Sequence, residues 1–160
     1  MKTIELNIKW QFLQMEELDD KERAAVEKAI EATNNSYAKY SNFNVGAALL
    51  LEDGSFVIGA NQENAAFPSG LCAERAALFA AQSLKPQCAI QMLAIAAKNE
   101  HGLTAKPVSP CGACRQVMIE VEQRYKKTIE VLLYGTKGIY KIHSVEDLLP
   151  LCFLDEDMNQ

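Results

Sequence analysis

The chain predicts an α/β fold in one domain, a mixed β-sheet with helices packed on it, and three observations carry that expectation. Strand-like apolar runs alternate with segments of helical period through the second half, an order that gives parallel neighbours with helices laid across them. The stretch "VGAALLLEDGSFVIGA" holds two apolar runs that meet at Asp53-Gly54, a pair that tolerates positive φ and suits a tight antiparallel hairpin. With 160 residues, 49% of them hydrophobic, the chain can bury one sizeable core but not comfortably two.

The elements follow in order. Ile4, Leu6, Ile8, Trp10 and Phe12 alternate with Thr3, Glu5, Asn7, Lys9 and Gln11, the pattern of a half-buried strand over 3–12. Asp19 and Glu22 form a capping-box pair, and Val26, Ile30, Thr33 and Tyr37 recur at helical spacing, predicting a helix from Asp20 to Ala38. After the hairpin and the loop "NQENAAFPSGL", the alanine-rich "CAERAALFAAQSL" reads as a helix starting near Cys72. "IQMLAIAA" is a buried strand. "CGACRQVMIEVEQRYKK" is a helix, with Val117, Met118 and Val121 apolar and basic residues at its end. "TIEVLLYG" and "GIYKIHS" supply two further strands, and "SVEDLLP" one or two helical turns. No repeat, low-complexity stretch or linker interrupts this order.

Composition excludes several classes of function. A net charge of −5 is the opposite of the basic footprint expected of a nucleic-acid binder. No apolar run approaches the roughly 18 residues of a membrane span. "MKTIELNIKW" lacks the apolar core and cleavage site of a signal peptide, so a soluble, cytoplasmic protein is expected. Five cysteines do not make an even disulfide framework, and clustered thiols in such a chain more often bind metal or do chemistry.

Cys111 and Cys114 stand at i and i+3 behind Pro110, so on the first turn of a helix their sulfurs project the same way. Alone, the pair fits half a metal site, a redox pair or two small buried residues. Cys72 also opens a predicted helix, and three thiolates at helix N-termini would converge where the dipoles lower their pKa. Three ligands leave the fourth tetrahedral position of a zinc ion open, the mark of a catalytic site; a fourth would close a structural one. Cys88 and Cys152, in apolar surroundings, read as core packing, and His101 and His143 as surface residues. Glu74 lies two residues beyond Cys72, where a carboxylate either complements the helix N-terminus or works beside the metal.

"CAER" followed by "PCGACRQV" resembles the zinc-dependent cytidine deaminases, whose signature is H/C-x-E followed by P-C-x-x-C. "YAKYSNFNVGAAL", "GANQENAAF" and "EDLLPLCF" match the same family in order, so the likeness runs from about Tyr37 to Phe153. The resemblance implies a three-layer domain over 19–154, with a mixed sheet of about five strands and helices on both faces. An N-terminal extension strand (1–18) and an acidic tail (155–160) would lie outside it. It also implies zinc held by Cys72, Cys111 and Cys114, with Glu74 moving protons as water replaces the amino group of cytidine or deoxycytidine in pyrimidine salvage. Arg75 would hydrogen-bond ligand sulfurs, offsetting the negative charge that three thiolates leave on Zn²⁺.

By the same likeness Asn61 and Glu63 would bind the ribose hydroxyls, Phe43 would pack beside the nucleoside, and the Ala73 N–H would meet the base carbonyl. Glu63 would repel a phosphate, favouring a free nucleoside. Short three-cysteine members form homotetramers with active sites near subunit interfaces, where the residue matching Phe153 reaches a neighbour's pocket. Phe67 departs from the family, which often has tyrosine there. Two other readings share these motifs: a deaminase of a related cytosine nucleoside such as blasticidin S, and a zinc-stabilised interaction domain without catalysis.

Overall fold

The structure, a computed structural model, describes residues 1–159. Its elements are β1 (Gln11–Leu13), α1 (Asp20–Ala32), β2 (Asn44–Leu51), β3 (Phe56–Ala60), α2 (Ala73–Leu84), β4 (Ile90–Asn99), β5 (Gly102–Leu103), α3 (Gly112–Tyr125), β6 (Glu130–Gly135) and β7 (Gly138–Ile142). They form one seven-stranded sheet in the order β1-β7-β6-β4-β2-β3, with β5 paired to β4. Only β4 and β6 run parallel, joined by the crossover through α3; the other pairs are antiparallel. The sheet is therefore mixed, as expected. The five anticipated central strands are β2, β3, β4, β6 and β7; β5, two residues long, had no sequence signal.

Three layers follow from how the central strands divide their side chains. Ala47, Leu49 and Leu51 of β2, with Leu93 and Ile95 of β4 and Val131 and Leu133 of β6, pack under α2 and α3. The residues between them, Ala48, Leu50, Met92, Ala94, Ala96 and Leu132, pack under Ala25, Val26 and Ala29 of α1. Both faces are dry, so these strands read as continuous apolar runs rather than alternations. Gly59 lets α2 lie close on β3: a Cβ there would meet the Ala73 carbonyl oxygen and the Ala77 nitrogen at 2.5 Å. Gly54, at φ +81°, turns the hairpin between β2 and β3.

Two expectations need correction. The Asp19 capping box forms, its carboxylate accepting from the N–H of Lys21 and Glu22 at 2.8 and 2.9 Å. But α1 ends at Ala32, not Ala38, and continues only as a 3-10 turn over Thr33–Asn35. The Thr33 hydroxyl bonds back to the Ile30 carbonyl, and asparagines and serine are weak helix formers. The Tyr37 N–H is meanwhile drawn to the Asn61 carbonyl at 3.0 Å, and the Glu63 N–H to the Tyr37 carbonyl at 2.8 Å.

The N-terminal strand is present but covers only Gln11–Leu13, paired with Ile139–Lys141 of β7. Upstream, the alternating face is open: Ile4 is 77% exposed, Leu6 64% and Trp10 51%. For residues 1–9 the reason is length, because in this register Trp10 already faces Ile142, the last residue of β7. Of the acidic tail, Asp155–Asn159 forms a 3-10 turn, and Gln160 lies outside the described residues. No helix among the described residues is long and apolar enough to cross a membrane.

Candidate active site

Two helices aim their first turns at one point. Cys72 is the N-cap of α2 and Cys111 the N-cap of α3, both in extended backbone. A position usually given to the oxygen of serine, threonine, aspartate or asparagine is thus occupied in each helix by a sulfur. Cys114, in the first turn of α3, is fully buried between them. The Sγ atoms of Cys72 and Cys111 are 3.9 Å apart, and those of Cys111 and Cys114 are 3.5 Å apart. All three fall within 4.8 Å of one another. Zinc–sulfur bonds near 2.3 Å in a tetrahedron would set edges of about 3.8 Å, so the donor set fits zinc.

No fourth cysteine, histidine, aspartate or glutamate among the described residues joins this cluster. Cys88 and Cys152 are half-buried against the core under α2 and α3, as expected of packing residues. His101 is on the surface.

The electrostatics of the cluster call for a cation. Burial, and then the charge of Glu74, push the Cys114 thiol well above its ordinary range. Burial also opposes ionisation of Cys111, but hydrogen bonds from the Cys114 N–H and the neighbouring thiols bring it below its ordinary value. Three sulfurs packed this closely cannot all ionise unless a positive ion shares the space. Arg75 supplies part of that charge, donating from Nη2 to the Cys72 Sγ at 3.4 Å. Its bonds to the Cys72 and Cys114 sulfurs hold it firmly protonated. The Arg75 Nε is buried without an acceptor among the described residues.

Glu74 is 5% exposed. Burial raises its carboxyl above the usual range, against the pull of its own N–H, the Cys114 thiol and the Arg75 charge. A carboxyl so placed exchanges a proton near neutrality more readily than an exposed one.

Beside the sulfurs opens a cleft of about 570 Å³, lined in part by Tyr40, Ser41, Asn61, Glu63, Phe67 and Cys72. The loop after β3 builds its floor, closed by a two-way backbone bridge between Gln62 and Leu71 at 2.9 Å. The Asn61 amide ties down the strand entrance, accepting from the Val45 N–H at 2.8 Å and donating to the Phe43 carbonyl at 3.0 Å. The Glu63 carboxylate accepts from the Tyr40 N–H at 2.7 Å and from the Ser41 hydroxyl. The Ser41 hydroxyl and the Tyr40 N–H hold it below the usual carboxylate range.

The structure thus brings Asn61, Glu63, Cys72 and Arg75 to one cleft, while Ala73 and Glu74, which follow Cys72 on α2, are buried and off its lining. Phe43 is half-buried and off the lining, and Phe153 is 59% exposed, its carbonyl accepting from Gln116 Nε2 at 2.8 Å. Sequence reasoning missed Tyr40 and Ser41. Tyr40 stands edge-on to Phe67, ring centres 5.8 Å apart, and forms the cleft rim. Their one sequence signal was an aromatic and a hydroxyl, "YSNF", in a loop with no core to serve.

Known proteins resemble this chain over most of its length. The model of the cytidine and deoxycytidylate deaminase zinc-binding region matches residues 19–130. The cytidine deaminase of Halalkalibacterium halodurans is 43% identical over 134 residues, 84% of this chain and 95% of that one. That of Sporosarcina psychrophila is 42% identical over 138 residues, with the same coverage. The crystal structure of cytidine deaminase from Burkholderia pseudomallei superposes with a TM-score of 0.70 at 42% identity, covering 81% of this chain and 97% of that one. The Mycobacterium tuberculosis enzyme gives 0.62 at 31%, covering 82% and 95%. With its three convergent sulfurs, its buried glutamate and a match over most of its length, this chain belongs to the zinc-binding cytidine and deoxycytidylate deaminase family.

Proposed function

We infer that the chain is a zinc-dependent hydrolase that converts cytidine and 2′-deoxycytidine to uridine and 2′-deoxyuridine with release of ammonia, a step of pyrimidine salvage. The observation that carries this reading is the buried Glu74 carboxyl set against three sulfurs at the mouths of two helices, beside an open cleft. Cys72, Cys111 and Cys114 would hold the zinc. The ion supplies Lewis acidity, which makes water a competent nucleophile at neutral pH.

The remaining work falls to side chains. Glu74 takes a proton from the attacking water and gives it to ring N3 as the oxygen bonds to C4; it then carries the second proton to the departing amine, which leaves as ammonia. The Ala73 N–H, at the first position of α2, has no acceptor within its helix and suits the base carbonyl. Arg75 offsets thiolate charge. Glu63 and the outward side of the Asn61 amide receive the ribose hydroxyls. Glu63 is already ionised and oriented by Ser41 and Tyr40, and it disfavours a phosphate.

The exposed Phe153 supports a homotetramer in which this ring, absent from its own chain's cleft, reaches the cleft of a neighbour and packs on the base, as would Phe43 from within. Thiols that must stay reduced to bind zinc fit a cytoplasmic setting. The test is the loss of cytidine absorbance with the wild type and with Glu74→Gln. The enzyme reading expects Glu74→Gln to keep zinc and lose turnover. Equal, negligible rates from the two proteins would refute it in favour of a binding module.

A further inference from the structure

The N-terminal segment carries a strand pattern that its own protomer does not use. Residues 3–12 alternate strictly, the match to the family begins only at residue 19, and β1 is the edge of the sheet. Among the described residues, 1–9 make no hydrogen bond to the rest of the chain, so their N–H and C=O groups have no strand partner. Their apolar side chains are not packed down either. A groove of about 290 Å³ lies between Leu6 and Ile8 and the exposed Leu151. An open, alternating edge of this kind pairs with another strand or is protected from doing so, and no proline or bulge protects this one.

The charges choose the partner. For two copies of this segment to pair with apolar faces aligned, the numbers of facing residues must have an even sum, because a one-residue slip turns every side chain over. When the sum is 14, Glu5 faces the partner's Lys9 and Lys9 faces the partner's Glu5. In the same register Leu6 meets the partner's Ile8, Ile4 meets the partner's Trp10, and Asn7 faces itself. Sums of 12 and 16 separate the charges. Sums of 10 and 18 set Glu5 against Glu5 and Lys9 against Lys9, as would parallel in-register pairing. Opposite charges across a strand pair stabilise it and like charges oppose it.

We propose that residues 3–11 pair antiparallel with the same residues of a second copy about a two-fold axis at Asn7, carrying the sheet from one protomer into the next. The contact is isologous, each surface its own complement, and it closes after two copies. It stands apart from the catalytic reading, since none of these residues lines the cleft.

Cross-linking of the zinc-loaded chain tests it. Facing residues of an antiparallel pair have Cα atoms about 4.5–5.5 Å apart, within disulfide reach. Asn7→Cys is expected to yield a covalent dimer as the main species under mild oxidation, read on a non-reducing gel. Thr3→Cys, whose copies would sit about 27 Å apart, should give only the background of the unsubstituted chain. In the Asn7→Cys protein, Glu5→Lys or Lys9→Glu alone should cut the dimer about tenfold or more, and mixing the two variants should restore it, because both charge pairs then re-form. An Asn7→Cys yield no higher than that of Thr3→Cys would overturn the proposal. So would charge reversals without effect, or a mixture that fails to recover.

Discussion

Glu74 and Glu122 are both 5% exposed and both stand on helices packed against the same face of the sheet, but their surroundings give them opposite work. Glu122 accepts from the Ile129 N–H at 2.9 Å, the Val145 N–H at 3.0 Å and the Ser144 hydroxyl at 2.6 Å. It joins the end of α3 to the start of β6 and to the turn after β7, a strut with its acceptor sites occupied. Glu74 has its own N–H, a thiol and a neighbouring charge, and burial holds its carboxyl above the usual range. A buried carboxylate held by two backbone N–H groups and a hydroxyl is fixed in place, whereas one beside sulfurs and raised by burial suits the proton exchange proposed for Glu74.

Substituting each carboxylate in turn is the sharpest way to break this comparison. Glu74→Gln should lower turnover about a thousandfold, the scale of a lost general acid–base, while thermal unfolding and zinc content stay near wild type. For Glu122 the effect should move to stability: Glu122→Ala strands two backbone N–H groups and a hydroxyl, costing about 3 kcal/mol or more in urea unfolding. Turnover per folded molecule should hardly change. If Glu122→Ala silenced the enzyme without destabilising it, the division between strut and proton carrier would be wrong.

Smaller effects sharpen the picture at the edges of the site. Arg75→Gln should keep the fold and loosen zinc about ten- to a hundredfold in a chelator competition, the usual cost of removing a group that supports metal ligands. Glu63 is a half-buried third carboxylate between the two extremes, held low by the Ser41 hydroxyl and the Tyr40 N–H. A lowered pKa means its charge persists into the ordinary carboxylate range and is lost only as pH falls through the lowered value. KM for cytidine should therefore stay flat as pH falls into the ordinary carboxylate range. Ser41→Ala should move the onset of the rise to higher pH and raise KM a few-fold at acidic pH, with kcat little changed; an unmoved onset would remove Ser41 from the account.

Much of this was legible along the chain because its causes are local. The Asp19–Glu22 capping box, the Asp53-Gly54 turn and the starts of α2 and α3 depend on neighbours a few residues away, and each formed where the sequence placed it. The sulfurs were legible because C-x-x-C on a first turn fixes the direction of two of them and Cys72 marks the third. Elements that depend on distant partners were misread. The helical period running past Ala32 lost to the pull of Asn61 and Glu63 on Tyr37, and an unbroken ten-residue alternation gave three residues of strand because β7 ends first.

By itself, the sequence determined the fold class, the helix caps, the hairpin and the trio of cysteines with its glutamate, since short-range sterics and side-chain period are written residue by residue. Only the tertiary structure decided that Glu74 is buried while Glu63 is clamped by Ser41, that Tyr40 and Phe67 share the cleft rim, and that the N-terminal strand stands open. Burial and edge exposure are properties of the packed whole: they depend on which surfaces meet, and no window of neighbouring residues contains that information.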